Sequence, residues 1–201
     1  MKIIGITGQS GAGKSTVCKI FEKYEIPCVN TDEIYHSMLC KNSSLVCELI
    51  REFGIEITDW QGGIYRPALA KIVFSSKEKL NRLNKIAHFH ILNSSREMIS
   101  EYESKGCDTV MVDASQLFES GFDKECDVTI AVVGEYETLI KRITERDGIS
   151  RQAAEKRLVN QYSKEYFKEK CTYVIENSAD INALEASVKK IVDVIKGETN
   201  G

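Results

Sequence analysis

The stretch Gly8-Gln9-Ser10-Gly11-Ala12-Gly13-Lys14-Ser15 restricts the fold of this chain more than any other. It follows the apolar run Ile3-Ile4-Gly5-Ile6 and precedes the amphipathic stretch Val17-Cys18-Ile20-Phe21, whose wet side carries Lys19, Glu22 and Lys23. A buried strand that passes to a helix through a glycine turn, with Lys-Ser at the helix start, is the arrangement of a phosphate-binding loop. Glycines at 8, 11 and 13 allow successive N–H groups to curl about one anionic centre, and the helix start adds the positive end of its dipole. In that arrangement Lys14 reaches the outer phosphates of a nucleotide and the Ser15 hydroxyl serves as a magnesium ligand. The plainer alternative is an ordinary glycine-rich strand-to-helix turn, which rarely carries this full spacing directly after a strand.

Length and composition bound the rest. The 201 residues suit one folding unit, with or without a small insertion, and 42% hydrophobic with 28% charged residues is the balance of a soluble globular protein. A net charge of −3 supplies no basic field for nucleic acid. Seven cysteines, at 18, 28, 40, 47, 107, 126 and 171, are odd in number and show no Cys-x-x-Cys pair, so they read as reduced cytosolic thiols rather than a zinc site or a disulfide framework. With no leader pattern and no apolar run near bilayer length, the expected location is the cytoplasm.

Along the chain, Cys28-Val29-Asn30 reads as a second strand with Asp32 just past its end, where a helix through Tyr35 and Met38 begins. A helix over 42–53 closes at Gly54, and 59–66 is a turn or hairpin around Gly62-Gly63. Pro67 opens a short helix through Leu69, Ile72 and Val73. Ser75 and Glu78 have the spacing of a capping box, and Leu80, Leu83, Ala87, Ile91, Met98 and Tyr102 form one long helical stripe. Thr109–Asp113 and Asp127–Val133 are buried strands, 135–146 and 150–163 are charged helices broken at Asp147-Gly148, and 173–175 is a last strand before a helix from Asp180 to Ile195. A polar tail from Gly197 is expected to fray. Five strands alternating with helices specify a three-layer α/β domain with a parallel sheet. Ligands bind such sheets beyond the carboxyl ends of the strands, so Lys14, Asp32 and Asp113 are expected to face one crevice.

Phosphoryl transfer requires a phosphate cradle, a metal, cations over the transferred group and a residue to orient the acceptor hydroxyl. Asp32 is the candidate for the last task, or it is a helix N-cap, and the two roles are compatible. Asp113 is the candidate for a magnesium contact through water, or it caps the turn into Ala114-Ser115. Arg142 and Arg146, four apart on one helical face, form with Arg151 and Arg157 a candidate lid over the phosphates. The alternative is a solvated charged helix in which Glu137 pairs with Lys141. His88 and His90, two apart on a helix, point to different sides and do not make a metal pair, although one of them could touch substrate. Trp60, Phe74 and most tyrosines read as packing residues.

With these landmarks placed, the chain resembles the dephospho-coenzyme A kinases. The resemblance rests on Gly5-Ile6-Thr7-Gly8 leading into Gly11-Ala12-Gly13-Lys14-Ser15-Thr16, on Val29-Asn30-Thr31-Asp32-Glu33-Ile34, Phe53-Gly54, Tyr65-Arg66 before Leu69-Ala70, and Val73-Phe74. It continues through His88, Leu117-Phe118-Glu119, Arg142, Arg146, and Arg157 with Gln161. It implies a P-loop NTPase fold, with a core of 1–31, 106–140 and 170–197, a helical coenzyme-A-side insertion of 32–105 and a lid of 141–165. It also implies transfer of phosphate from Mg-ATP to the ribose 3′-hydroxyl of dephospho-coenzyme A by a monomer that needs neither nucleic acid nor membrane.

By matching position, Asp32 corresponds to the family's hydroxyl-activating acid, and Lys14 and Arg142 to its phosphate-neutralising cations. Gly11 to Thr16 and Arg146 fall on the nucleotide side, and Asp32, Arg66, His88, Phe118 and Glu119 on the acceptor side. Phe89 stands where the family usually has proline, and Ser115-Gln116 departs from its usual Pro-Leu before Leu-Phe-Glu. A kinase for another small molecule, such as a nucleoside or nucleotide, shares the same core, and a catalytically silent nucleotide-binding module is the reading from another class. A GTPase is disfavoured, because Asn84-Lys85-Ile86-Ala87 lacks the guanine-reading aspartate.

Overall fold

The computed structural model describes residues 1–40, 43–177 and 180–197. The frayed tail expected beyond Gly197 lies outside them. The chain divides into two compact units, one of residues 1–29 with 102–201 and one of residues 30–101.

In the first unit the sheet is parallel, as expected, with strands β1 (Lys2–Gly8), β2 (Cys28–Asn30), β3 (Thr109–Asp113), β4 (Val128–Val133) and β5 (Tyr173–Glu176) in the order β2-β3-β1-β4-β5. The central position of β1 follows from its composition: Ile4 and Ile6 are fully buried, and Ile6 is in register with Asp113 on one side and Ile130 on the other. From β1 the chain runs toward β2 at one edge, and from β4 toward β5 at the other. The loops after these adjacent strands therefore diverge, which leaves a crevice at their carboxyl ends.

Alternation along β4 separates the layers. Ile130 and Val132 pack with helices α1 (Lys14–Glu22), α7 (Tyr136–Asp147), α8 (Arg151–Val159) and α10 (Ile181–Lys196). Ala131 and Val133 face the other way, toward Phe167 of α9 (Lys164–Lys170). The helix read over 150–163 stops short, at Val159, and a separate helix that the sequence reading did not place follows at Lys164–Lys170. Ser163 accepts a hydrogen bond from the Tyr166 N–H and starts α9 afresh, which ends α8 at Val159.

The second unit is helical: α2 (Thr31–Met38), α3 (Ser44–Phe53), α4 (Arg66–Val73) and most of α5 (Lys77–Ser104). Leu45, Leu49, Ile57, Leu69 and Val73 form its core, with Leu80, Leu83 and Ile86 of α5 packed against them. The expected start of α3 at residue 42 falls outside the described residues; Ser43 is the N-cap. The Ser75–Glu78 capping box does not form. Ser75 still belongs to the turn that closes α4, with its hydroxyl donating to the Ile72 carbonyl, and Ser76 accepts from the Glu78 N–H. Trp60 and Phe74, expected to pack, are 91% and 75% exposed. Trp60 sits at the tip of a turn held by Asp59, whose carboxylate accepts from Gln61 and Gly63, and Phe74 caps the C-terminal end of α4. Between α5 and β4 lie the short α6 (Leu117–Ser120) and a 3₁₀ turn at Phe122–Glu125.

Candidate active site

The site is built outward from the loop between β1 and α1. Gly8, at φ +140, lies so close to β4 that a Cβ there would stand 2.0 Å from the Val132 carbonyl oxygen, so only glycine permits this approach. The chain then turns through Gly11 (φ +78) and Gly13 (φ +90), with the Ala12 N–H donating to the Gln9 carbonyl. Gly13 caps α1 without any side chain. By contrast, Asn30, Ser43, Ser150, Ser163 and Asp180 cap α2, α3, α8, α9 and α10 through their side chains. The start of α1 thus keeps its first N–H groups clear of a protein cap, and Lys14, half-buried, opens it beside exposed Ser15 and Thr16. That combination fits an anionic phosphate group.

Distant residues fix the loop from behind. Asn177, 8% exposed, donates its side-chain N–H to the Ala12 carbonyl at 2.8 Å. The Gln161 side-chain oxygen accepts from the Ser10 N–H at 2.9 Å, and Gln9 accepts from the Gly134 N–H at 3.3 Å. Sequence reasoning assigned nothing to Asn177, which carries no local motif. Gln161 was noted only through the family resemblance.

The four arginines of the expected lid are not equivalent. Arg142 on α7 extends over the loop, with Nη1 donating to the Gly11 carbonyl at 3.4 Å. Arg146 instead holds its neighbour Asp147 through two hydrogen bonds of 2.7 and 2.9 Å, and Arg157 reaches the same carboxylate. Arg151 pairs with Glu137 and Glu155. The ion pair expected between Glu137 and Lys141 is replaced, because Lys141 lies 4.0 Å from Glu145. Hydrogen bonding from Arg146, then from Arg157, holds the Asp147 carboxyl well below the usual carboxylate range.

Asp113 ends β3, and its charge is felt by the Cys18 thiol. Hydrogen bonding with Cys28, burial and Asp113 push that thiol far up, while Lys14 pulls it down, so Cys18 stays protonated beside the loop. Phe118 is not a lone exposed ring. It lies edge-on to Tyr162 at 6.2 Å and to Tyr166 at 5.5 Å, with Glu119 exposed next to it.

In the helical unit, Asp32 is exposed in the first turn of α2. The N-cap there is Asn30, which accepts from the Asp32 and Glu33 N–H groups, so the helix start does not depend on the Asp32 carboxylate. Arg66 opens α4 and is exposed; its charge partly offsets the upward push that burial gives the Tyr35 phenol. His88 is half-buried on α5. His90 is engaged with α3, 2.7 Å from Glu48 and 3.2 Å from Ser44, which takes it out of a substrate role.

Among the described residues no group of three or more His, Cys, Asp or Glu side chains is placed to hold a metal. A magnesium ion that takes one or two protein oxygens and completes its octahedron with phosphates and water fits that sparse donor set, with the Ser15 hydroxyl at the start of α1 and the Asp113 carboxylate at the end of β3 as candidate oxygens. No helix among the described residues is long and apolar enough to cross a membrane.

A family model described as dephospho-CoA kinase matches residues 2–183. The chain belongs to the dephospho-CoA kinase family. A relative named dephospho-CoA kinase from Fusobacterium nucleatum is 38% identical over 193 residues, covering 96% of this chain and 98% of its own. One from Arabidopsis thaliana is 33% identical over 98% of this chain and 84% of its own. Among solved structures, dephospho-CoA kinase from Campylobacter jejuni superposes with a TM-score of 0.72 at 25% identity, over 99% of this chain and 100% of its own. Shikimate kinase from Acinetobacter baumannii, at 16% identity and a TM-score of 0.55 over 100% and 96% of the two chains, shares the fold with the dephospho-CoA kinase family.

Proposed function

We propose that the chain transfers the γ-phosphoryl group of ATP to the 3′-hydroxyl of dephospho-coenzyme A. The observation that carries the reading is the family match over residues 2–183, in a chain whose loop of residues 8–15 has the geometry of a phosphate cradle.

In this reading the bond from the γ-phosphorus to the β,γ-bridging oxygen breaks, a bond from that phosphorus to the acceptor 3′-oxygen forms, and ADP leaves. Asp32 accepts the hydroxyl proton or holds the hydroxyl in line. Its exposed position in the first turn of α2, whose N-cap is Asn30, supports that task. Lys14 and Arg142 neutralise charge on the transferred group, and the segment from Gly11 to Thr16 binds the phosphates. Ser15, and Asp113 through water, would hold magnesium, which would supply charge neutralisation to the phosphates. Arg66, His88, Phe118 and Glu119 serve the acceptor, residues 32–105 form the acceptor-side insertion, and 141–165 close as a lid that excludes water. Arg146 takes part on the nucleotide side only by exchanging Asp147 for phosphate. Seven free thiols suit a reducing, cytoplasmic setting.

The test is ADP release by the purified protein with Mg-ATP, with and without dephospho-coenzyme A, and with adenosine, uridine and AMP as parallel acceptors. Release that requires dephospho-coenzyme A, with one phosphate gained on its ribose by mass, is the expected result. Release with another acceptor moves the substrate assignment to a different small-molecule kinase, and nucleotide binding without any release favours a silent module.

A further inference from the structure

Two neighbouring residues between α8 and α9 face two different parts of the site. Asn160 closes α8 and Ser163 caps α9, so the connection is anchored at both ends. Within it, Gln161 turns to the phosphate loop and accepts the Ser10 N–H at 2.9 Å. Tyr162 stacks on Tyr166 at 3.9 Å, with the planes 8° apart, and presents its ring to the edge of Phe118. Phe118 in turn meets Tyr166 and Phe167, and the cluster rests on Ala131 and Val133 of β4.

We propose that Gln161 and Tyr162 are positioning residues that couple the nucleotide loop to Phe118, so that filling the loop with nucleotide orders the α6 segment that carries Phe118 and Glu119. The physical basis is short and contiguous. A displacement of Ser10 is transmitted by one hydrogen bond to residue 161, and a stacked aromatic pair has few alternative arrangements that keep its contacts, so residue 162 carries the displacement to Phe118. α6 is a single turn of four residues, closed by the Ser120 N–H to the Gln116 carbonyl and the Gly121 N–H to the Phe118 carbonyl. An element one turn long takes its order largely from what it packs against. The proposal deepens the function proposed above and rests on it for the role of Phe118 toward the acceptor.

Hydrogen exchange across residues 116–125, measured with and without saturating Mg-ADP, tests the coupling without any acceptor. In the unsubstituted protein Mg-ADP is expected to slow exchange at the α6 amides by about threefold or more. Gln161→Met, which keeps the side-chain length but removes the acceptor oxygen, and Tyr162→Ala are expected to bind Mg-ADP yet lose the slowing. Gln161→Glu and Tyr162→Phe, which keep the acceptor and the ring, are expected to retain it. Thermal melts matching the unsubstituted protein separate this effect from general loosening. Slowing that persists in both Gln161→Met and Tyr162→Ala, or its absence in the unsubstituted protein, overturns the proposal. If the exchange pattern holds while dephospho-coenzyme A is not phosphorylated, the substrate assignment fails and the coupling stands.

Discussion

The Asn177 amide donates to the Ala12 carbonyl at 2.8 Å, which fastens the residue after β5 to the phosphate loop across 165 positions of sequence. The same nitrogen lies 2.5 Å from where a Cβ on Gly13 would stand, so Asn177 sets both the orientation of the loop and the space available to it. Asn177→Ala leaves the Ala12 carbonyl without its partner, a cost of about 1–3 kcal/mol for a buried group. Steady-state kinetics should show KM for ATP raised about fivefold or more, with a smaller change in kcat. Asn177→Asp removes the donor and adds a negative charge beside the phosphates, so its KM should rise further.

Gly8→Ala should be among the most damaging single-methyl changes in the protein. The added carbon would stand 2.0 Å from the Val132 carbonyl, which is backbone in the central pair of strands and has nowhere to move. Gly106→Ala is the control, because its φ of +82 carries left-handed strain but no atom lies within 4 Å of the new carbon. Gly106→Ala should cost about 1–2 kcal/mol, and Gly8→Ala clearly more, read as loss of thermal stability and of nucleotide binding.

Lys14→Ala and Asp32→Asn should separate the two tasks assigned to them. Loss of the loop cation should lower kcat about 10²–10³-fold. Replacing the carboxylate proposed to take the hydroxyl proton or hold the hydroxyl in line should lower kcat about 10²–10⁴-fold, while calorimetry still finds Mg-ATP binding near that of the unsubstituted protein. Unchanged turnover in either variant would contradict its role.

Asp147 gives the junction of α7 and α8 a pH signature. The Arg146 hydrogen bonds, with a second contribution from Arg157, lower its folded-state pKa. Its stabilising contribution is therefore fully present above the unfolded aspartate value of about 3.9 and is lost as pH falls through the depressed folded value. The gap in melting temperature between the unsubstituted protein and Asp147→Asn should be constant near neutrality and close on acidification below about pH 4. A gap that widens in acid would contradict the pairing.

Much of the fold was legible because it is written in adjacent residues. The apolar runs at 3–6, 109–112 and 128–133 read directly as buried strands, and Gly54 (φ +93) and Gly148 (φ +63) end helices at a positive φ that favours glycine. The start of α5 was misread by the same local logic, and α9 was not read at all. Ser75 and Ser76 compete for one cap, and the turn closing α4 had already taken Ser75, while Ser163 restarts a helix within one charged stretch.

By itself the sequence determined the phosphate loop, its strand and helix, the parallel α/β core and the family, because each rests on residue type at fixed short spacing. Tertiary structure alone decided which side chains serve the loop. Arg142, Arg146, Arg151 and Arg157 read alike in sequence, yet one reaches Gly11 and the others are taken by Asp147, Glu137 and Glu155. Asn177, Gln161 and the rings around Phe118 gain their roles from packing that brings β5, the connection between α8 and α9, and α6 against the carboxyl ends of β1 and β4. Such partnerships depend on distances between elements far apart in the chain, and those distances exist only once the core has been packed.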